Sequence, residues 1–185
     1  MESSIIIGGS GGQGILFLGK ILAYSAMLET KEVTWFPSYG AEVRGGTANC
    51  TVIISDELIG SPIVRNPEML IVMNDASLQK FQPNLKQNGL LIFDSSLIEE
   101  PSLRKDIKVI AVPATEISRK IGNTKAANMV LLGAFTSKTE ILEKTSVLEA
   151  IESLSPAGKR KIVEINKNAF IEGMRYIEDT KGKNI

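Results

Sequence analysis

Two segments of this sequence carry residues whose types and spacing could do chemistry. The first is Gly9-Ser10-Gly11-Gly12-Gln13-Gly14, which fits the pattern G-x-G-x-x-G. Glycines at those spacings permit a tight turn, close approach of backbone to a phosphate, and close packing of a helix on a strand. Placed before a helix, the turn's free N–H groups could hold an anion. Alone the motif is a weak sign of a dinucleotide, which also needs an acidic residue about 20 positions on, at the end of the second strand. Glu29 and Glu32 precede that strand, and its end is Trp35-Phe36-Pro37. A compact turn that binds nothing is an equal alternative. A P-loop is excluded, because no Gly-Lys-Ser or Gly-Lys-Thr follows the glycines, and Gly19-Lys20 already falls inside the helix.

The second segment, Ser38-Tyr39-Gly40-Ala41-Glu42-Val43-Arg44-Gly45-Gly46-Thr47, mixes aromatic, acidic, basic and glycine residues without apolar periodicity. Such loops sit at surfaces and contact something. Arg44 offers a planar donor fork for an anion or carboxylate, and Gly45 and Gly46 let a ligand or a partner backbone approach. An ion pair from Arg44 to Glu42 or Asp56 that merely stiffens the loop is the competing reading.

Other chemistry is excluded by count. The chain has no histidine, which removes Ser-His-Asp triads, a histidine base and His-ligated metals. Its single cysteine, Cys50, allows no intramolecular disulfide and no cluster of thiolate ligands. Cys50 falls in an apolar strand and reads as a buried structural thiol. Asp75 and Asp94 each follow a strand, where a sheet of parallel strands places ligand-facing residues, but capping or turn formation explains them equally. Trp35 and Phe36 leave core and subunit interface equally open. Asn128, on an apolar helix, needs a partner for its amide: either it ties a nearby loop or it faces another chain.

The elements that must position these residues alternate. Ile5-Ile6-Ile7 is a strand suited to a parallel sheet, and Ile15, Leu18, Leu22 and Ala26 mark a helix running to about Leu28, the opening of a βαβ unit. Val33 to Phe36 reads as a second strand that ends in a turn at Pro37-Ser38-Tyr39-Gly40. Strands follow at Thr47–Ser55, Met69–Met73, Leu90–Phe93 and Lys108–Val112. A helix from about Ala76 to Lys86, with Pro83 inside it, separates two of them, and Pro113-Ala114-Thr115 leads into another helix. Ala126–Phe135, Val147–Leu154 and Lys161 to about Glu178 complete the helices, the last with Ile162, Ile165, Ala169 and Ile177 on one stripe and frayed residues after it. The expected fold is α/β: a Rossmann-like three-layer sandwich, with a mostly parallel sheet and helices on both faces. At 185 residues, one domain spanning 1–185 is expected.

Twenty-one basic and 21 acidic side chains cancel, so nucleic acid and anionic membranes are not expected partners. No apolar run approaches the roughly 20 residues of a membrane span, Glu2 follows Met1 where a leader would be basic, and a cytoplasmic location is expected.

Taken together, Gly9 to Gly14, then Pro37 through Gly46, then Ile54-Ser55-Asp56, resemble the gamma subunit of 2-oxoacid:ferredoxin (acceptor) oxidoreductases, and Lys125 to Ala134 is similar to that family's later helix. The form Tyr-Gly-Ala-Glu-Val-Arg-Gly-Gly-Thr-Ala-Asn looks nearest to the 2-oxoglutarate type, with pyruvate, branched-chain oxoacids and indolepyruvate left open. The resemblance implies a multi-subunit enzyme that oxidatively decarboxylates a 2-oxoacid with coenzyme A, giving acyl-CoA, carbon dioxide and reduced ferredoxin. It places thiamine diphosphate, magnesium and iron–sulfur clusters in alpha, beta and, where present, delta subunits, with none held by this chain alone. It implies a chain inactive by itself, open to forming a homodimer when isolated. On this basis Gly9, Gly11, Gly12, Gln13, Gly14, Tyr39, Glu42, Arg44, Gly45 and Gly46 form a surface for an anion, coenzyme A or a neighbouring subunit. An independent NAD(P)- or flavin-binding reductase and a purely structural scaffold are the alternatives.

Overall fold

The computed structural model describes residues 2–38, 47–156 and 158–181. The strands are β1 (Glu2–Ser10), β2 (Glu32–Ser38), β3 (Thr47–Ser55), β4 (Met69–Val72), β5 (Leu90–Asp94) and β6 (Lys108–Val112). The helices are α1 (Ile15–Leu28), α2 (Asp75–Phe81), α3 (Ala114–Lys120), α4 (Ala127–Thr139), α5 (Lys144–Leu154) and α6 (Arg160–Lys181). They build one six-stranded sheet in the order β2-β3-β1-β4-β5-β6. β1, β4, β5 and β6 run parallel to their neighbours in that half, while β3 is antiparallel to both β1 and β2. The expected α/β sandwich with a mostly parallel sheet is what the chain forms.

Every residue of β4 and of β5 is buried, as unbroken apolar runs covered on both faces must be. The two covers are unequal. On one face Ile5, Ile7, Val52, Ile54 and Ile71 meet Leu18 and Leu22 of α1, Val130 and Phe135 of α4 and Phe170 of α6. On the other, Ile6, Leu70, Val72, Leu91 and Phe93 are met mainly by Leu78 and Phe81 of the short α2, with Leu85 and Ile98. Helix α4 is buried at every residue from Ala127 to Ser137, so it is the central helix of the thicker layer. It crosses α6 where two glycines face each other's backbone. A methyl group on Gly133 would overlap the Phe170 carbonyl oxygen, and one on Gly173 would overlap that of Val130.

The turn that ends α1 is clamped to the loop before α5. Glu29 accepts from Lys31 Nζ at 2.9 Å and from the Glu143 backbone N–H at 2.7 Å. Burial alone would raise the Glu29 carboxyl, but hydrogen bonds from Lys31, Glu143 and Ser146 outweigh it and hold the group below the usual carboxylate range. A carboxyl depressed in the folded chain adds stability that is complete above its unfolded value and is lost as pH falls through the folded one. Glu29→Gln is therefore expected to lower stability by about 1 kcal/mol at neutral pH. Unfolded by urea at successively lower pH, the gap from wild type should begin to narrow near the ordinary carboxylate value of about 4 and close only once the pH has passed below the folded value.

Four details differ from the sequence expectations. Strand β2 continues through Pro37, which sits opposite Cys50, and ends at Ser38; an edge strand tolerates proline because one side of it needs no ladder hydrogen bonds. Helix α2 stops at Phe81, and Gln82–Asn84 form a single 3₁₀ turn, because Pro83 removes a donor and crowds the preceding turn. Helix α6 carries on to Lys181, beyond the expected fraying point, and Ile162 is 39% exposed, outside the buried stripe that Ala169 and Ile177 occupy. Finally, β1-α1-β2 does not place β2 beside β1. The antiparallel β3 fills that position.

Candidate functional site

Residues Gly9 to Gly14 leave the C-terminal end of β1 and enter α1, at the sheet end where ligands of open α/β sheets bind. Two positions require glycine conformationally: Gly12 has φ +91° and Gly14 φ +75°. The turn is held by side-chain amides. Gln13 accepts the Ser10 N–H on Oε1 at 2.6 Å and donates from Nε2 to the Met73 carbonyl at 3.2 Å, joining the turn to the end of β4. Asn74 donates to Ser10 Oγ at 2.6 Å while its Oδ1 caps α2 by accepting the Ser77 N–H at 2.8 Å. Asn128 donates to the Gly14 carbonyl at 3.1 Å and accepts the Met129 N–H at 3.0 Å. A side chain on Gly14 would run into that Asn128 amide.

These struts are neutral. No side chain caps α1, and its first turn has no acidic residue, so the helix itself supplies nothing to compensate the partial positive charge at its N-terminus. Gly11 and Gly12 are exposed, and no atom lies within 4 Å of where a Gly12 methyl would stand. The arrangement can accept a negatively charged group against backbone N–H donors. It is ill suited to a nicotinamide dinucleotide, whose ribose is held by an acidic residue on the strand beside β1; here that place belongs to β3, and β2 ends in Ser38.

Of the expected site residues, Gly9, Gly11, Gly12, Gln13 and Gly14 share this turn. Tyr39, Glu42, Arg44, Gly45 and Gly46 lie outside the described residues, so neither ion-pair alternative for Arg44 is described, although Asp56 itself is. Their flanks are placed, however. Thr47 pairs with Ser10 and Ser38 with Asn49, so both ends of segment 39–46 leave the sheet at the end that carries the glycine turn.

The remaining residues take structural parts. Asn128 ties the turn. Asp94 is fully buried and spends its carboxylate on the Ser96 N–H and on the N–H and hydroxyl of Thr115, fixing the start of α3. Cys50 is fully buried against Gly19 and Trp35, and burial pushes its thiol up to about 12, which leaves no thiolate for nucleophilic work. Ser10 and Asn74 were not among the expected site residues. The parallel pairing of β1 with β4 is the signal that brings their ends together.

The family model described as pyruvate ferredoxin/flavodoxin oxidoreductase matches residues 4–176. The chain belongs to that family. A ketoisovalerate oxidoreductase subunit VorA from Methanothermobacter thermautotrophicus is 37% identical over 96% of this chain, yet the match takes in 37% of its own length. This chain thus spans little more than a third of that relative. A 2-oxoglutarate synthase subunit KorC from Methanocaldococcus jannaschii is 36% identical over 97% of this chain and 96% of its own. The crystal structure of a keto/oxoacid ferredoxin oxidoreductase gamma subunit from Geobacter sulfurreducens superposes with a TM-score of 0.82 at 29% identity, covering 96% of this chain and 99% of that one. The likeness to a gamma subunit drawn from the ordered motifs is borne out. Among the described residues no helix is long and apolar enough to cross a membrane.

Proposed function

We propose that this chain serves as the gamma subunit of a 2-oxoacid:ferredoxin oxidoreductase, with 2-oxoglutarate as the oxoacid, and that it is inactive without alpha and beta subunits. The observation that carries this reading is the end-to-end match to KorC, a subunit named for 2-oxoglutarate. The ketoisovalerate relative, matched over a third of its length, speaks for the competing substrate.

The residues present do not fit the redox or thiamine cofactors. Cys50 is the chain's one cysteine, and among the described residues no three of His, Cys, Asp and Glu come together. In this reading those groups belong to partner subunits, where they would supply decarboxylation and carry electrons to ferredoxin. What this chain adds is a surface. In this reading the glycine turn meets coenzyme A: the α1 N-terminus receives an anionic group, Arg44 is the candidate side chain for a second contact with it, and the neutral amide struts hold the turn in place.

Substrate choice is tested on the assembled enzyme. The kcat/KM for 2-oxoglutarate is expected to exceed those for pyruvate and 2-oxoisovalerate by at least ~10-fold. A higher value for 2-oxoisovalerate would overturn the 2-oxoglutarate assignment and leave the gamma-subunit role standing.

A further inference from the structure

The three large apolar side chains most exposed among the described residues belong to segments at one end of the sheet. Leu58 is 88% exposed, Ile63 71% and Met27 59%. Topology brings them there. Ser55 ends β3 opposite Glu2, the first residue of β1, and β4 opens at Met69 beside Ile5. The connection between them, residues 56–68, therefore hangs from the end opposite to the glycine turn. Met27 lies in the last turn of α1, which runs back from the glycine turn to the end where Glu32 pairs with Ser55.

The connection is anchored at its base and open along its length. The Glu57 N–H donates to Ser55 Oγ at 3.1 Å, the Glu68 N–H donates to the Ser4 carbonyl at 3.1 Å, and Pro67 is buried. Between these ties Leu58 and Ile63 stand out with Pro62 exposed beside Ile63, so the segment is an apolar arm on a fixed root. Two large apolar side chains this exposed on one anchored segment make it a candidate contact with another protein.

We propose that this arm anchors the chain in an aliphatic pocket of a larger subunit of the same oxidoreductase, an inference that rests on the gamma-subunit reading above. The size of the partner is argued from the VorA relative, in which a domain like this one occupies 37% of the polypeptide and is covalently held to the rest. A second copy of this chain fits less well. The groove near that end, beside the Glu29 clamp, has Leu142 and Met174 in its lining, but also Glu140, Glu143, Lys144 and Glu178, and these four charged groups would lose water against Leu58 or Ile63 without gaining partners.

The test uses the full chain, co-expressed with its alpha and beta subunits, as wild type, as the pair Leu58→Asp with Ile63→Asp, and as Ile162→Asp, an exposed apolar site on α6. Both arm positions face water, so the double variant is expected to melt within about 2 °C of wild type. Its affinity for the partner subunits is expected to fall at least ~100-fold, with Ile162→Asp binding as wild type does. Should the aspartates lower the melting temperature further, Leu58→Ser with Ile63→Ser replaces them, with an expected loss of at least ~10-fold. A folded double variant that still binds as wild type overturns the arm and leaves the gamma-subunit reading intact. An isolated wild-type dimer that the double variant converts to a monomer still able to join the complex overturns it in favour of a second copy. Wild type that fails to bind the partners overturns both.

Discussion

Gly133→Ala and Gly173→Ala are each expected to destabilise the fold by about 3 kcal/mol or more, a large part of the ~5–15 kcal/mol that holds a typical domain together. The reason lies in the α4 and α6 crossing. At both glycines the missing side chain is replaced by the other helix's backbone: Phe170 O and Met174 N approach Gly133, and Val130 O approaches Gly173. Backbone cannot swing aside as a side-chain tip can, so a methyl group must push the helices apart. That would open contacts made by Val130, Phe135 and Phe170 in the thicker of the two cores. Helix propensity works the other way, since alanine is the better helix former by about 1 kcal/mol, and the packing penalty must exceed this gain. Urea unfolding of the isolated chain measures the balance. Gly60→Ala, with no atom within 4 Å of the new methyl, is the control and should change stability by no more than about 0.5 kcal/mol. Alanine variants at 133 and 173 as stable as this control would contradict the close crossing.

Gly14→Ala is expected to have the second largest effect, and Gly12→Ala separates its two causes. Both glycines have positive φ, so alanine at either costs about 1–2 kcal/mol of backbone strain. Gly12 stops there, because its surroundings are open. At Gly14 the methyl also displaces the Asn128 amide from the carbonyl it holds, adding about 1 kcal/mol for a lost hydrogen bond and a partner left buried. Urea unfolding should therefore rank Gly14→Ala below Gly12→Ala. In the assembled enzyme, the KM for coenzyme A is expected to rise at least ~10-fold in Gly14→Ala, with the KM for the oxoacid within about 2-fold, as for a variant that loses binding of one substrate. Equal KM values for coenzyme A in wild type and variant would favour a scaffold that meets no ligand at this turn.

The parts of the fold that were legible in the sequence are those with local signatures. Ile5-Ile6-Ile7 followed by Gly8-Gly9 and then a period near 3.6 identify β1, the turn and α1, because strand, turn and helix each leave a mark within a few residues. Strand order leaves no such mark. Thr47–Ser55 reads as a strand, but nothing in its pattern says that it inserts antiparallel between β1 and β2, since that depends on pairing across the sheet. Asn128 was legible as an amide in need of a partner; Gly14, 114 positions earlier, was not legible as that partner. Gly133 and Gly173 look in sequence like weak helix residues, and only the crossing shows why nothing larger fits. The apolar arm was missed for a related reason: Leu58, Pro62 and Ile63 have the composition of core residues, and exposure is a property of the folded chain.

The most direct measurement is ferredoxin reduction driven by 2-oxoglutarate and coenzyme A, compared among the purified chain alone, its alpha and beta subunits without it, and the three combined. Turnover is expected only in the combination, with stoichiometric recovery as the chain is titrated back. Turnover by the chain alone, or full turnover by the other subunits without it, would contradict its assignment as a working gamma subunit.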